Sequence, residues 1–181
     1  MKNKTVKFTS TIIISVLAIT GFIISYNKIN KEMPGYTYHY YNTDEAINFD
    51  DIQVTVSDAK RYSDDKYWNI YNLEKEEDCE YKITVNMKIT NDTDSTKSFD
   101  LSRVLIEKKG WFSNLSLYDF YSINKLESYI VEIQPNSSKD LIVPFTYYYY
   151  YYYPGMQDSL DKIEFWLDVY NTYPDKNIIK I

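Results

Sequence analysis

The stretch YKITVNMKIT, residues 81–90, decides the fold. Its apolar side chains alternate one-for-one with polar ones, and the apolar set is Tyr81, Ile83, Val85, Met87 and Ile89. Successive side chains of a strand point to opposite faces, so this pattern predicts a strand with one buried face and one polar face.

Shorter patterns of the same period lie on both sides of this stretch, at Ile52–Val56, Tyr129–Ile133 and Ile163–Val169. Ile178–Ile181 predicts a final edge strand. Phe99–Glu107 changes phase partway along, which predicts a bulge or bend near Ser102–Arg103. Turn residues separate these segments, and no long helical pattern occurs after the N-terminal region. About seven or eight short strands are typical of a β-sandwich or small barrel.

Before these strands, the N-terminus has the pattern of a membrane anchor. Phe8–Tyr26 carries no charge, and as a helix it would span about 28 Å, close to the ~30 Å hydrocarbon core of a bilayer. Lys2, Lys4 and Lys7 precede it, which favours a cytoplasmic N-terminus. The alternative is a cleaved signal peptide and a secreted domain, although the apolar segment is longer than usual and no clean cleavage site follows.

The sequence therefore predicts four regions. They are a basic cytoplasmic start (1–7), a transmembrane signal-anchor (8–26), a polar tether (27–45) and an extracellular β domain (46–181). The predicted location is the cell membrane, with a single pass and the domain outside.

Charge limits the partners of that domain. The net charge is −6, and three of the 20 basic residues precede the apolar segment. An acidic domain of this kind does not fit nucleic acid, which requires clustered cations. We expect the membrane to be contacted through residues 8–26, and a protein or a cell-wall polymer to be the other partner.

Neither catalytic nor metal-binding residues form a recognisable set. Cys79 is the only cysteine and His39 the only histidine, so a Cys/His nucleophilic pair and a zinc site are not indicated. The acidic segment Glu74–Glu80 leaves a calcium site possible, but it lacks the spacing of a calcium loop. We expect a protein that is not an enzyme and has no cofactor.

Four segments together resemble the telokin-like, immunoprotective extracellular domain family. They are YKITVNMKITNDTDSTKSFDLSRVLIEKKG, PNSSKDLIVPF, DIQVTVSDAKRY and KIEFWLDVY, within Phe49–Tyr170. The resemblance implies an immunoglobulin-like β-sandwich on surface proteins of Gram-positive bacteria and their phages. This chain differs in lacking a lipidation cysteine near the anchor. It also has Asn136 where the family has glycine, and asparagine tolerates the left-handed conformation that such a turn requires.

Tyr147–Tyr153 is a run of seven tyrosines. The phase of Leu141, Val143 and Phe145 predicts that Tyr147 and Tyr149 point inward. Pro144 has no N–H and so predicts an edge strand or a bulge. The strand is expected to end near Tyr149 or Tyr150, with a loop after it. The candidate binding patch on the outer phase comprises Tyr148, Tyr150, Tyr152 and Trp166.

Three functions follow from these observations. The first is a membrane-tethered, non-catalytic binding module, because tyrosine offers large amphipathic contact area at a low entropy cost. The second is a structural or stress-related envelope accessory whose anchor helix supports a membrane partner. The third, implied by the resemblance alone, is a phage-related surface protein that excludes superinfecting phage.

Overall fold

The structure is a computed structural model. It describes residues 2–33, 35–49, 51–62, 65–75, 79–108, 111–148, 164–170 and 172–181, with side chains described from residue 15 onward except at 79–80. The chain divides into two units, Met1–Thr37 and Tyr38–Ile181.

The first unit is dominated by helix α1, Lys2–Glu32. Within the part of the chain that the structure describes, no helix is long and apolar enough to cross a membrane. The prediction that residues 8–26 form a transmembrane helix is therefore not supported.

The second unit is built mainly from strands. The strands are β1 (Thr37–Tyr41), β2 (Ala46–Phe49), β3 (Ile52–Tyr62), β4 (Cys79–Asn91), β5 (Lys97–Asp100), β6 (Val104–Lys108), β7 (Trp111–Asn114), β8 (Ile130–Ile133), β9 (Ser137–Tyr148), β10 (Trp166–Val169) and β11 (Asp175–Lys180). Two short helices, α2 (Lys66–Tyr71) and α3 (Leu117–Asn124), interrupt them. The described residues thus hold eleven strands, more than the seven or eight predicted, because several are only four or five residues long.

Two sheets form the sandwich. The first has the order β1-β11-β10-β6-β7, and the second has the order β2-β3-β4-β9. The long strand β4 lies inside the second sheet, antiparallel to β3 and to β9. Its apolar phase is buried as predicted, with Ile83, Val85, Met87 and Ile89 at most 2% exposed. The β-sandwich expected from the sequence is confirmed.

Phe99–Glu107 is not one bulged strand. β5 pairs with β8 in a separate two-stranded sheet, whereas β6 belongs to the first sheet. A 3₁₀ turn at Leu101–Arg103 separates them, and the Asp100 carboxylate accepts a hydrogen bond from the Ser102 backbone N–H at its start. The phase change in the sequence therefore marks a strand that leaves one sheet and enters another.

The predicted edge strand at Ile178–Ile181 is in fact an interior strand. It belongs to β11, which lies between β1 and β10. The segment predicted to be a polar tether, 27–45, supplies β1 as the edge instead. Part of this segment therefore belongs to the sheet. The His39 ring lies 2.8 Å from the Asp175 carboxylate of β11, so a side-chain contact also joins the two strands.

The strand that carries the tyrosine run follows the predicted phase up to its last described residue. β9 is the edge of the second sheet, as Pro144 predicted. Tyr147 is 1% exposed and points inward, which confirms its prediction. Tyr149–Tyr153 lies outside the described residues, so the predicted inward position of Tyr149 and the predicted strand end are not tested.

Asn136 adopts a positive φ of 50° in the turn before β9. This is the left-handed conformation that the turn was predicted to require and that asparagine tolerates. Its backbone N–H donates to the Thr93 carbonyl, so the turn is also fixed to the loop after β4.

Helix α2 forms an aromatic cluster on the outer face of the second sheet. Tyr67 is fully buried and contacts Tyr62 and Tyr71 at ring-centroid distances of 5.5 and 5.1 Å. Burial raises the pKa of Tyr71 from 10.0 to about 12, and a hydrogen bond with Tyr62 adds to the rise.

A second buried polar group lies on the outer face of the first sheet. Lys176 of β11 bonds to Glu107 of β6 at 2.6 Å and to Asp168 of β10 at 3.2 Å. Burial lowers the pKa of Lys176, but the two carboxylates outweigh that effect, and the net pKa lies above 10.5.

Stability is expected to fall as the pH rises from about 10 to about 12. The unfolded chain releases the Tyr71 proton near pH 10.0, whereas the folded chain holds it to about pH 12. The folded state therefore binds more protons in this window, and its stability decreases with pH. The raised pKa of Lys176 also makes the folded state less stable as the pH rises. Denaturant unfolding at several pH values measures the effect, and the variant Tyr71→Phe should have a shallower decline. An identical decline in that variant would contradict the assignment to Tyr71.

Candidate functional site

The two sheets meet along a seam formed by their edge strands, β7 and β9. Among the described residues, the ladder between these strands is limited to one bridge, Leu115 to Phe145. Next to this bridge, the Ser116 backbone N–H donates to the Pro144 carbonyl at 2.8 Å. The strands are thus joined at one end, and they separate toward Trp111 and Tyr148.

The separation leaves a groove of about 590 Å³. We call it the seam groove, and its lining is Trp111, Phe112, Ser113, Asn114, Leu115, Ser116, Thr146 and Tyr148. Three of these residues are aromatic, four carry a hydroxyl or amide that is not part of a ring, and none carries a charge. Its volume falls in the ~300–1,000 Å³ range of small-ligand sites.

The aromatic residues of the groove differ in how firmly they are held. Trp111 packs edge-to-face against Tyr147 at 4.3 Å and against Phe165 at 5.9 Å. Phe112 has the opposite phase on the same strand and is 64% exposed. The groove therefore combines an aromatic wall that is held by packing with an aromatic ring that is exposed to water. Exposure of this apolar ring to water is unfavourable.

The floor of the groove is polar and internally bonded. The Ser113 hydroxyl lies 3.1 Å from the Thr146 carbonyl and 3.1 Å from the Asn114 carbonyl. The contact with Thr146 joins the two edge strands where the backbone ladder has ended. A ligand in the groove would meet a Ser113 hydroxyl whose position is already fixed by these bonds.

Beneath Thr146 lies a buried ion pair. Lys82 Nζ donates to Asp119 Oδ2 and to Thr146 Oγ1, each at 2.8 Å. The Tyr67 hydroxyl also donates to Asp119 Oδ2 at 2.8 Å. Lys82 and Asp119 are 1% and 2% exposed, and the Trp68 ring centroid lies 4.8 Å from Lys82 Nζ.

This cluster joins β4, α2, α3 and β9 at one point. Thr146 belongs both to the cluster and to the lining of the seam groove. The ion pair therefore supports the groove from below, and it is not accessible to a ligand.

The structure describes two members of the predicted aromatic patch, Tyr148 and Trp166, and they lie on different sheets. Tyr148 lines the seam groove, whereas Trp166 lies on β10 and pairs with Glu107, which in turn pairs with Phe112. Trp166 and Phe112 thus share the outer face of the first sheet but are two strands apart. Tyr150 and Tyr152, the other members of the predicted patch, lie outside the described residues.

Sequence reasoning missed Trp111 and Phe112. They follow the turn KKG, and the strand they begin is only four residues long, so its alternation is too short to identify. The adjacent pair WF was the available signal, since one of two neighbouring aromatic residues on a strand must face away from the core.

No group of three His, Cys, Asp or Glu residues capable of holding a metal is found among the residues that the structure describes. Residues 76–78 of the acidic segment Glu74–Glu80 lie outside the described residues. The expectations about calcium and about cofactors therefore stay untested.

The architecture places this chain among the β-sandwich proteins. Its two sheets separate along a groove lined by aromatic residues. The chain belongs to the family that shares the domain of unknown function DUF5028, which matches residues 26–177. No curated protein matches the sequence. The telokin-like family expected from the resemblance is not the one that matches, so an immunoglobulin-like assignment is not confirmed.

Several solved structures are similar to this chain. A conserved hypothetical protein from Bacillus anthracis is 14% identical with a TM-score of 0.50, covering 75% of this chain and 94% of that one. An uncharacterized beta-sandwich protein from Clostridium difficile 630 is 10% identical with a TM-score of 0.49, covering 81% and 95%. A candidate lipoprotein from Bacillus subtilis is 18% identical with a TM-score of 0.48, covering 77% and 38%. At these identities the similarity to the first protein indicates the fold alone.

Proposed function

We propose that this chain is a non-catalytic binding module of a Gram-positive-type cell envelope, and that the seam groove is its binding site. The observation that carries the proposal is the lining of the groove. Three aromatic side chains lie beside hydroxyl and amide groups at an opening between two sheet edges. Aromatic residues with a few fixed polar groups are typical of recognition sites.

The proposal includes the location. The uncharged segment 8–26 with lysines before it supports export, with the domain held outside the membrane by an uncleaved anchor. The acidic net charge of −6 supports a partner other than nucleic acid.

The test is retention of envelope material by the full-length chain. Phe112→Ser and Tyr148→Ser are each expected to reduce retention of isolated cell-wall fragments by about tenfold, the effect of removing an aromatic hot-spot contact. Tyr40→Ser is the matched control. Tyr40 is 70% exposed on β1, the opposite edge of the same sheet as β7, and its replacement should change nothing. Equal retention by all three variants would contradict a role for the groove.

A second candidate is an envelope accessory that acts through its helix. It is favoured by the length of α1, which extends over Lys2–Glu32. Exchanging residues 8–26 for an unrelated anchor separates the two functions. Retained function supports the binding module, and lost function supports the accessory. The phage-related alternative rests on the unconfirmed telokin-like resemblance and is not proposed.

A further inference from the structure

The charge of the seam groove restricts its ligand. No residue of the lining that the structure describes carries a charge, and the chain as a whole carries a net charge of −6. A polyanion would be repelled by the acidic surface and would find no cation among the described lining residues to pair with. The nearby Lys108 ammonium lies 4.8 Å from the Tyr147 ring centroid, where that ring already contacts it. The electrostatics therefore favour an uncharged ligand.

The mixture of aromatic and polar groups in the lining further restricts the chemical class of the ligand. Phe112 offers an exposed ring, and Ser113, Asn114 and Ser116 place hydroxyl and amide groups in the same lining. A sugar ring has the matching chemistry, because its C–H face packs on an aromatic ring while its hydroxyl groups donate and accept hydrogen bonds around the edge.

The backbone of β7 adds a third group. The Ser116 N–H points to β9, where it donates to Pro144. Backbone groups in an antiparallel strand alternate in direction with a period of two residues. The N–H and C=O of Phe112, four residues earlier, therefore point to the same side, which beyond the Leu115–Phe145 bridge is the seam groove. An edge of this kind pairs readily with another amide.

We propose that the seam groove binds a neutral, N-acetylated glycan chain, with a sugar ring on Phe112 and Tyr148 and an acetamido group against the backbone of β7. The acetamido group is a secondary amide, so it supplies both the donor and the acceptor that a strand edge can pair with. This inference rests on the proposed binding function and names its ligand class.

The experiment is calorimetric titration of the full-length chain in a detergent without a sugar headgroup. The probes are the β-1,4-linked tetramer of N-acetylglucosamine and the β-1,4-linked tetramer of glucose, which has the same ring and linkage but no acetamido groups. The acetylated tetramer is expected to bind about tenfold more tightly, as loss of one well-placed interaction predicts. Phe112→Ser and Tyr148→Ser should each weaken its binding by about tenfold, and Tyr40→Ser should leave it unchanged.

Three results would overturn the inference. They are equal affinity for the two tetramers, no binding of the acetylated tetramer, or binding that Phe112→Ser and Tyr148→Ser leave intact while circular dichroism shows them folded. The comparison of the two tetramers on the unaltered chain decides the matter even if a variant fails to fold. If cell-wall retention still depends on Phe112 while the acetylated tetramer does not bind, the ligand class is wrong and the binding function stands. If both fail, neither stands.

Discussion

Replacing Asp119 with alanine is expected to lower the free energy of unfolding by about 3–5 kcal/mol, the usual cost of removing one partner from a buried ion pair. Lys82 would lose its carboxylate partner at 1% exposure, while the Thr146 hydroxyl and the Trp68 and Tyr67 rings remain beside it. Water cannot reach the ammonium group without opening the contact between α2 and β4. Urea unfolding of the full-length chain, followed by tryptophan fluorescence, measures the loss.

A double variant separates the cost of an unpaired charge from the contribution of the pair. Lys82→Met combined with Asp119→Leu removes both charges and retains apolar volume. Buried pairs replaced in this way often cost little, so the double variant should be within about 1.5 kcal/mol of the unaltered chain, the range of well-tolerated core replacements. If Asp119→Ala alone cost no more than an ordinary surface change of about 0.5 kcal/mol, the ion pair would not be buried in solution.

Replacing Asn91 with alanine is expected to cost about 3 kcal/mol, because it removes every hydrogen bond of a buried side-chain amide, including one to the buried Ile133 carbonyl. Asn91 is fully buried at the end of β4. Its amide nitrogen donates to the carbonyls of Ser95, Ile133 and Gln134 at 2.8, 3.0 and 3.1 Å. Its oxygen accepts from the N–H and the hydroxyl of Thr93.

The variant Asn91→Asp tests the hydrogen bonds that the Asn91 amide nitrogen donates, separately from those that its oxygen accepts. It has the same shape and keeps the acceptor for Thr93, but it places an oxygen against three carbonyls, so it should be at least as destabilising as alanine. Asn86→Ala on the same strand is the control, since Asn86 is only half-buried and its loss should stay within about 0.5 kcal/mol. Unfolding in urea gives the free energies, and a fully stable Asn91→Asp would show that the three donated bonds contribute nothing.

The core of the sandwich could be predicted because it depends on local alternation. Ile83, Val85 and Met87 are buried where their phase placed them, and Tyr147 follows from the phase of its own strand. The alternation of these residues indicates which face of a strand is apolar, and a few consecutive residues are enough to show it.

The burial of the polar face of β4 beneath other elements could not be predicted in the same way. Lys82 and Thr84 lie on the polar phase of β4, yet they are 1% and 3% exposed. Alternation shows that a face is polar, but it does not show whether another element packs over it. Here α2 and α3 do so, and the lysine is tolerated because Asp119 is brought to it from a distant part of the chain.

The seam groove could not be predicted for the same reason, because it depends on contacts between distant segments. Trp111 and Phe112 stand next to each other in the sequence, but their site is completed by Thr146 and Tyr148 of another sheet. The relation between the edges of two sheets is a long-range property, and a pattern read along one strand contains no information about it. Of the outer residues of the tyrosine run, the structure describes Tyr148, which lines the groove.

The position of β1 has a consequence for the order in which the chain can assemble. β1 pairs with β11, so the first strand to be synthesised has as its neighbour the strand at residues 175–180. At about 5–20 residues added per second, many seconds separate the two. During that interval β1 has no sheet to join, and contacts so distant along the chain are the slow ones to form. If the chain is exported while it is unfolded, the first sheet cannot close until residues 175–180 have also arrived outside, which ties the onset of function to completed delivery.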